Sequence, residues 1–123
     1  MRCALLLENH NAFRQSLAFL LSHEADIEMV AQASSMEEGR AIVLKELDHI
    51  DVVLTEFELA DGSATEFLES LRRVDADVPV LVLTVIKDRD SHDMALEMGA
   101  AEVLTKDVPL ERIVATIKKL GGD

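Results

Sequence analysis

Basic residues are scarce in this chain of 123 residues: 12 lysines and arginines stand against 24 aspartates and glutamates, a formal net charge of −12. Phosphate binding needs clustered Lys and Arg, so this shortage excludes a nucleic-acid-binding surface on the domain itself. Tryptophan and tyrosine are absent and aromatics make up 3%, which excludes stacking on bases or sugars as a main binding mode. One cysteine, Cys3, leaves no internal disulfide and no thiolate-rich zinc site. It sits in an apolar run, where a buried, inert thiol is expected. No apolar stretch approaches the ~18 residues of a membrane span. The start, Met1-Arg2-Cys3-Ala4, lacks the layout of a secretory signal, so the cytoplasm is the expected compartment. No linker, repeat or low-complexity segment interrupts the chain.

What is present suits one folded domain over residues 1–123. Hydrophobic residues are 49% and charged residues 29%, too apolar for disorder, and a chain of this length can bury a full core. Five short apolar runs recur: Ala4–Leu7, Ile27–Ala31, Val52–Leu54, Val78–Val85 and Val103–Leu104. Most lack polar alternation, as parallel strands covered on both faces do. The second, Ile-Glu-Met-Val-Ala, is half polar and belongs at an edge.

Between the runs lie five segments of helical spacing. Phe13, Leu17, Leu20 and Leu21 share one face of the first. Ser34 with Glu37, or Ser35 with Glu38, offers a capping box for the second, whose apolar side is Met36, Ala41, Val43, Leu44 and Leu47. Asp61-Gly62-Ser63 is expected to cap a third carrying Phe67, Leu68 and Leu71. Met94, Ala95 and Met98 mark a fourth, ended by Gly99. Pro109 opens a fifth with Leu110, Ile113, Ile117 and Leu120, ended by Gly121-Gly122. Strands alternating with helices predict an α/β fold, a single doubly wound five-stranded parallel sheet with right-handed crossovers.

Ligands of such sheets sit outside the carboxyl ends of the strands. There the sequence supplies Glu8-Asn9-His10 after the first strand, Thr55-Glu56-Phe57-Glu58 after the third, Thr84 at the end of the fourth and Lys106 after the fifth. Two carboxylates, an amide, a hydroxyl and an ammonium are thereby expected on one edge. A phosphorylatable carboxylate site uses such a set: a nucleophilic Asp, further acids for Mg²⁺, and a hydroxyl and a Lys for the phosphoryl oxygens.

The chain resembles a response-regulator receiver domain with the CheY-like (flavodoxin-like) fold, most closely the receivers of NarL/LuxR-type transcription regulators. Glu8-Asn9-His10 stands where that subfamily has Asp-Asp-His. Glu56-Phe57-Glu58-Leu59-Ala60-Asp61-Gly62-Ser63-Ala64 stands where it has Asp-Leu-Arg-Leu-Pro-Asp-Gly-Ser-Gly. Val80–Thr84 and Gly99–Asp107 match its later motifs, with Thr84 and Lys106 22 residues apart.

The departures fall on the chemistry. The position of the phosphoacceptor Asp carries Glu56, that of a direct Mg²⁺ ligand carries Asn9, the Pro after the acceptor loop is Ala60, and the aromatic switch position carries Val103. Glu56 pushes its carboxylate about 1.3–1.5 Å further out, and a displacement near 1 Å can cost ~100-fold in a reaction that depends on positioning. Asn9 removes a negative ligand from a metal that prefers anionic oxygen. Weak or absent Mg²⁺ binding, no resident cofactor and no metal are therefore expected, together with an ion pair between Glu56 and Lys106. For Asn9 a plain helix-capping role stands as the alternative, for Glu8 a solvated acid at the helix entry, for Glu56 a loop acid and for Thr84 a structural hydroxyl. His10, His23, His49 and His92 are scattered as surface or capping residues. From Glu46 to Leu71 there are eight acids and no Lys or Arg, expected to form a solvated face.

The resemblance implies a non-enzymatic signalling module that works by protein–protein contact, with a histidine kinase or another signalling protein as partner, and no membrane. It implies a DNA-binding region beyond residue 123 if the chain is the N-terminal part of a longer regulator, and a homodimer through the first and fifth helices. The enzymatic alternative is a receiver that accepts a phosphoryl group on Glu56 from a histidine kinase. A third class, a flavin-binding flavodoxin-like domain, is disfavoured, because Leu7-Glu8-Asn9-His10-Asn11 is no Gly/Ser/Thr-rich phosphate loop.

Overall fold

The computed structural model describes residues 1–122. In chain order its elements are β1 (Arg2–Leu7), α1 (Asn11–Ser22), β2 (Ile27–Ala33), α2 (Met36–Glu46), a 3-10 turn (Leu47–His49) and β3 (Val52–Thr55). There follow β4 (Glu58–Leu59), β5 (Gly62–Ser63), α3 (Ala64–Arg73), β6 (Val80–Thr84), α4 (Arg89–Glu97), β7 (Glu102–Thr105) and α5 (Leu110–Leu120). Five strands form a parallel sheet in the order β2-β1-β3-β6-β7. This is the doubly wound sheet the apolar runs predict, with the half-polar strand β2 at an edge. The antiparallel β4–β5 hairpin is an addition; two-residue strands are too short to carry a periodic signal.

Alternate strand residues feed two cores. Leu5, Leu7, Val53, Val80 and Val82 pack with Val43 of α2, Phe67, Leu68 and Leu71 of α3, and Ala95 of α4. Ala4, Leu6, Val52, Leu54, Leu81 and Leu83 pack with Leu17, Ala18 and Leu21 of α1 and Ile113, Val114 and Ile117 of α5. The side-chain period of two thus splits each strand between helical layers on both faces.

Some expected boundaries and faces shift. The fourth predicted strand shortens to Val80–Thr84, because Pro79 has no N–H for the ladder and the Ile86 N–H turns back onto Thr84 Oγ1 at 3.1 Å. In α1 the buried stripe centres on Leu21; Ala18 completes it and Leu20 is exposed. Leu44 of α2 and Met94 of α4 are likewise exposed, with Val43 and Ala95 inside. The second helix takes Ser35 as its cap, accepting from the Glu38 N–H at 3.1 Å. The third is capped by Ser63, accepting from the Glu66 N–H. Asp61, expected on that third helix, caps α2 instead: its carboxylate oxygens accept from the Met36 and Glu37 N–H groups at 2.8 and 3.0 Å. These bonds, Met36's first, hold the Asp61 carboxyl below the usual carboxylate range. Gly99 ends α4 with φ +116°, the left-handed conformation that glycine takes at a helix end.

Candidate functional site

β1 connects to β2 on one side and β3 continues the sheet on the other, so the order reverses between β1 and β3, where the crevice of an open α/β sheet lies. Glu8 and Glu56 are the residues that follow these two strands. Backbone bonds extend the ladder to deliver them: the Glu8 N–H donates to Ala33 O at 2.9 Å and the Glu56 N–H to Leu7 O at 3.1 Å. Lys106 follows β7 and is held against β6 by its N–H on Thr84 O at 2.9 Å.

The Lys106 ammonium lies between the two acids, with Nζ 2.8 Å from Glu8 Oε1 and 2.9 Å from Glu56 Oε1. Their other oxygens are also engaged. Glu8 Oε2 accepts from the His10 N–H at 3.1 Å, and Glu56 Oε2 accepts from the Phe57 N–H. Glu8 is 2% exposed and Glu56 7%, so neither is a solvated or loop acid. The Phe13 ring of α1 closes the cluster, its centroid 4.2 Å from Lys106 Nζ. A desolvated ammonium over an aromatic face gains of order 1–2 kcal/mol. Burial pushes the Lys106 ammonium down, but hydrogen bonds to Glu8 and Glu56, and then the charges of both, outweigh it and raise its pKa above the ordinary lysine value.

Of the five residues expected on this edge, three meet directly. Asn9 is exposed, and among the described residues its side chain makes no hydrogen bond. Nor does it cap α1; His10 does, its Nδ1 accepting from the Phe13 N–H at 3.2 Å. Thr84 is fully buried with its hydroxyl accepting from the Ile86 N–H, and among the described residues it makes no hydrogen bond to either acid. Val103 is half-buried on β7 opposite Val82, packed against the α2–α4 side core. Sequence reasoning missed Phe13, counted only as a core residue, and the second partner of Lys106. Phe13's place in the first turn after Glu8 carried the signal. It also missed Arg14, whose guanidinium donates to Glu8 O at 2.9 Å and Asn11 Oδ1 at 2.7 Å. At the rim, Lys87 and Asp107 pair at 2.8 Å across the loops that follow β6 and β7.

The receiver-domain profile, "Response regulator receiver domain", matches residues 4–118. This chain belongs to the response regulator receiver family. It is 27% identical over 116 residues to a nitrate/nitrite response regulator protein homolog of Haemophilus influenzae, covering 94% of this chain and 55% of that protein. It is 31% identical over 122 residues to a response regulatory protein of Vibrio cholerae, covering 98% of this chain and 48% of that protein. The chain therefore spans about half the length of these relatives. In structure it is similar to the signal receiver domain of NarL from Mycobacterium tuberculosis, with TM-score 0.92, 20% identity and coverage of 98% and 95% of the two chains. It is also similar to a receiver domain from Clostridium thermocellum, with TM-score 0.89, 27% identity and coverage of 98% and 94%.

Receivers of this family imply a bound Mg²⁺, and the residues here do not fit one. All four oxygens of Glu8 and Glu56 already have donors, two of them the ammonium itself. Asn9 points no anion at them. Among the described residues no group of three or more His, Cys, Asp or Glu is placed to hold a metal ion. Mg²⁺ wants several anionic or neutral oxygens in near-octahedral order; this crevice offers a filled cation position.

Proposed function

We propose that this receiver domain signals by protein–protein contact, without phosphorylation at the acceptor position, in a cytoplasmic regulator of transcription. The observation that carries the reading is the Lys106 ammonium bridging Glu8 and Glu56. A phosphoryl transfer to a carboxylate needs a free nucleophilic oxygen, a metal to neutralise the donor's charge, and in-line positioning. Here the oxygens are committed, the cation position is taken by a side chain, and Glu replaces the shorter Asp of the family pattern. Val103 adds to this: it has no ring to rotate on activation and is stiff at χ1. The domain is read as a non-enzymatic module held in one state, with a histidine kinase or another signalling protein as its partner. A DNA-binding region beyond residue 123 accounts for the transcriptional role, as the resemblance to NarL/LuxR-type regulators implies.

Self-association through α1 and α5 fits the surface. Phe19, 63% exposed, and Leu20 lie on α1, and a cleft of about 340 Å³ lined by Glu24, Leu110, Val114 and Lys118 runs along α5.

Intact-mass analysis after incubation with acetyl phosphate and Mg²⁺ tests the reading. The expected spectrum shows no phosphoryl adduct. An adduct on the unaltered protein that disappears in Glu56→Gln would overturn it in favour of a receiver phosphorylated on Glu56.

A further inference from the structure

A second surface, away from the crevice, has the composition of a docking groove. Between α2 and α3 lies a cleft of about 230 Å³ lined by Arg40, Leu44, Ser70, Leu71, Arg73 and Val74. Its apolar parts are open to water: Leu44 is 60% exposed and Val74 51%. The volume is below the ~300–1,000 Å³ of ligand pockets, so it suits an anchoring side chain rather than a small molecule. A cleft between two helices that exposes aliphatic side chains is the geometry that receives the apolar face of a third helix.

Charge selects the occupant. On a protein of net charge −12, both charged residues of this cleft are arginines. Arg40 makes no ion pair among the described residues. Among the described residues Arg73 pairs only with Glu69, four residues earlier, at 3.5 Å with both side chains largely exposed, a contact that leaves the guanidinium available. Arg40 lies one helical turn before Leu44, and Arg73 directly precedes Val74, so each apolar contact has a cation beside it. The walls are also fixed in place. The first turns of both helices are tied to one stretch, Asp61 accepting from α2 and Ser63 capping α3.

We infer that the α2–α3 groove docks an acidic amphipathic helix of a partner protein, with aliphatic residues in the cleft and carboxylates on Arg40 and Arg73. The surface is separate from the Lys106 crevice, and its failure would leave the reading of that crevice untouched.

The test is an NMR titration of the ¹⁵N-labelled protein with two synthetic helical peptides. Both carry leucines at i, i+4 and i+7; one flanks them with glutamates, the other with lysines. Saturable shifts at Leu44, Ser70 and Val74 are expected with the glutamate peptide, and about five- to tenfold weaker binding with the lysine peptide. The double variant Arg40→Glu/Arg73→Glu should reverse that preference while keeping the wild-type spectrum elsewhere. Absence of binding, equal binding of both peptides, or shifts mapping outside the groove would overturn the inference. So would movement of the same resonances on diluting the protein alone, because the occupant would then be a second copy.

Discussion

Removing Lys106 leaves two carboxylates facing each other in a closed site, whereas removing one carboxylate leaves a matched pair. The members of the cluster therefore differ in what they cost. Lys106→Met is expected to destabilise by about 3–5 kcal/mol, the usual cost of leaving buried charge uncompensated. Glu56→Gln should cost about 1 kcal/mol, because an amide oxygen can still accept from the ammonium or from Phe57. Urea denaturation ranks the two, and the opposite ranking would mean that Lys106 is held by water instead of by its partners. The same lysine sets an alkaline limit. Its folded pKa is raised, so its stabilisation is complete below the unfolded value of about 10.4 and is lost as pH rises through the folded one. The wild type should lose stability above about pH 10.4 more steeply than Lys106→Met in pH-resolved denaturation. Mg²⁺ at low-millimolar concentration should leave the amide shifts of Glu8, Asn9 and Glu58 in place; saturable movement there would show that a metal displaces the ammonium.

At the scale of elements, α2 is positioned by contacts at both its start and its middle. Gly39 lies where a Cβ would come 2.6 Å from Leu7 Cγ, inside the core beside β1. Alanine has a higher helix propensity by about 1 kcal/mol, yet Gly39→Ala should be destabilising by about 1–3 kcal/mol because Leu7 is fully buried and cannot yield. A thermal melt decides it: a rise in midpoint would show that propensity wins over packing. The start of α2 depends on Asp61. Asp61→Ala should cost about 1 kcal/mol as a lost cap and speed hydrogen exchange in the first turn of α2, leaving α5 unchanged. Because the Asp61 carboxyl is held low, this support is present above the unfolded value near pH 3.9 and disappears as pH falls through the folded one. The hairpin that carries Asp61 also touches the crevice. Phe57 donates to Glu56 and accepts from the first N–H of α3 at 2.7 Å, so Glu56, the hairpin and both helices form one connected unit.

For the whole molecule, charge and exposed apolar surface oppose each other. A net charge of −12 disfavours like-on-like association, while Phe19 and Leu20 on α1 favour it. The proposed dimerisation through α1 and α5 should therefore strengthen as salt screens the repulsion over about 10 Å at 0.1 M, and Phe19→Ser should abolish it in sedimentation equilibrium. Cross-links centred on Asp93 and Glu97 of α4 would place the contact elsewhere. The acidic stretch from Glu46 to Leu71 largely faces solvent as its composition implies; Glu56 is its buried member.

The alternation of apolar runs and helical spacing was enough to determine the five strands of the parallel sheet and its polar edge, because a short apolar run and a 3.6-residue period are local properties of the chain. It was also enough to place Glu8, Glu56, Thr84 and Lys106 at strand ends, since each lies within two residues of the end of an apolar run. Local spacing left the rotation of α1 by one position undetermined, and with it the exposure of Leu20; neighbouring helices and sheet decide that angle. It also left open which helix Asp61 serves, because α2 and the hairpin are 24 and 25 residues apart along those hydrogen bonds. The bridge itself belongs to the tertiary structure. Only the order β1-β3-β6-β7 brings the ends of β1, β3 and β7 close enough for one ammonium to reach two carboxylates, and only α1, folded over that edge, sets Phe13 above it.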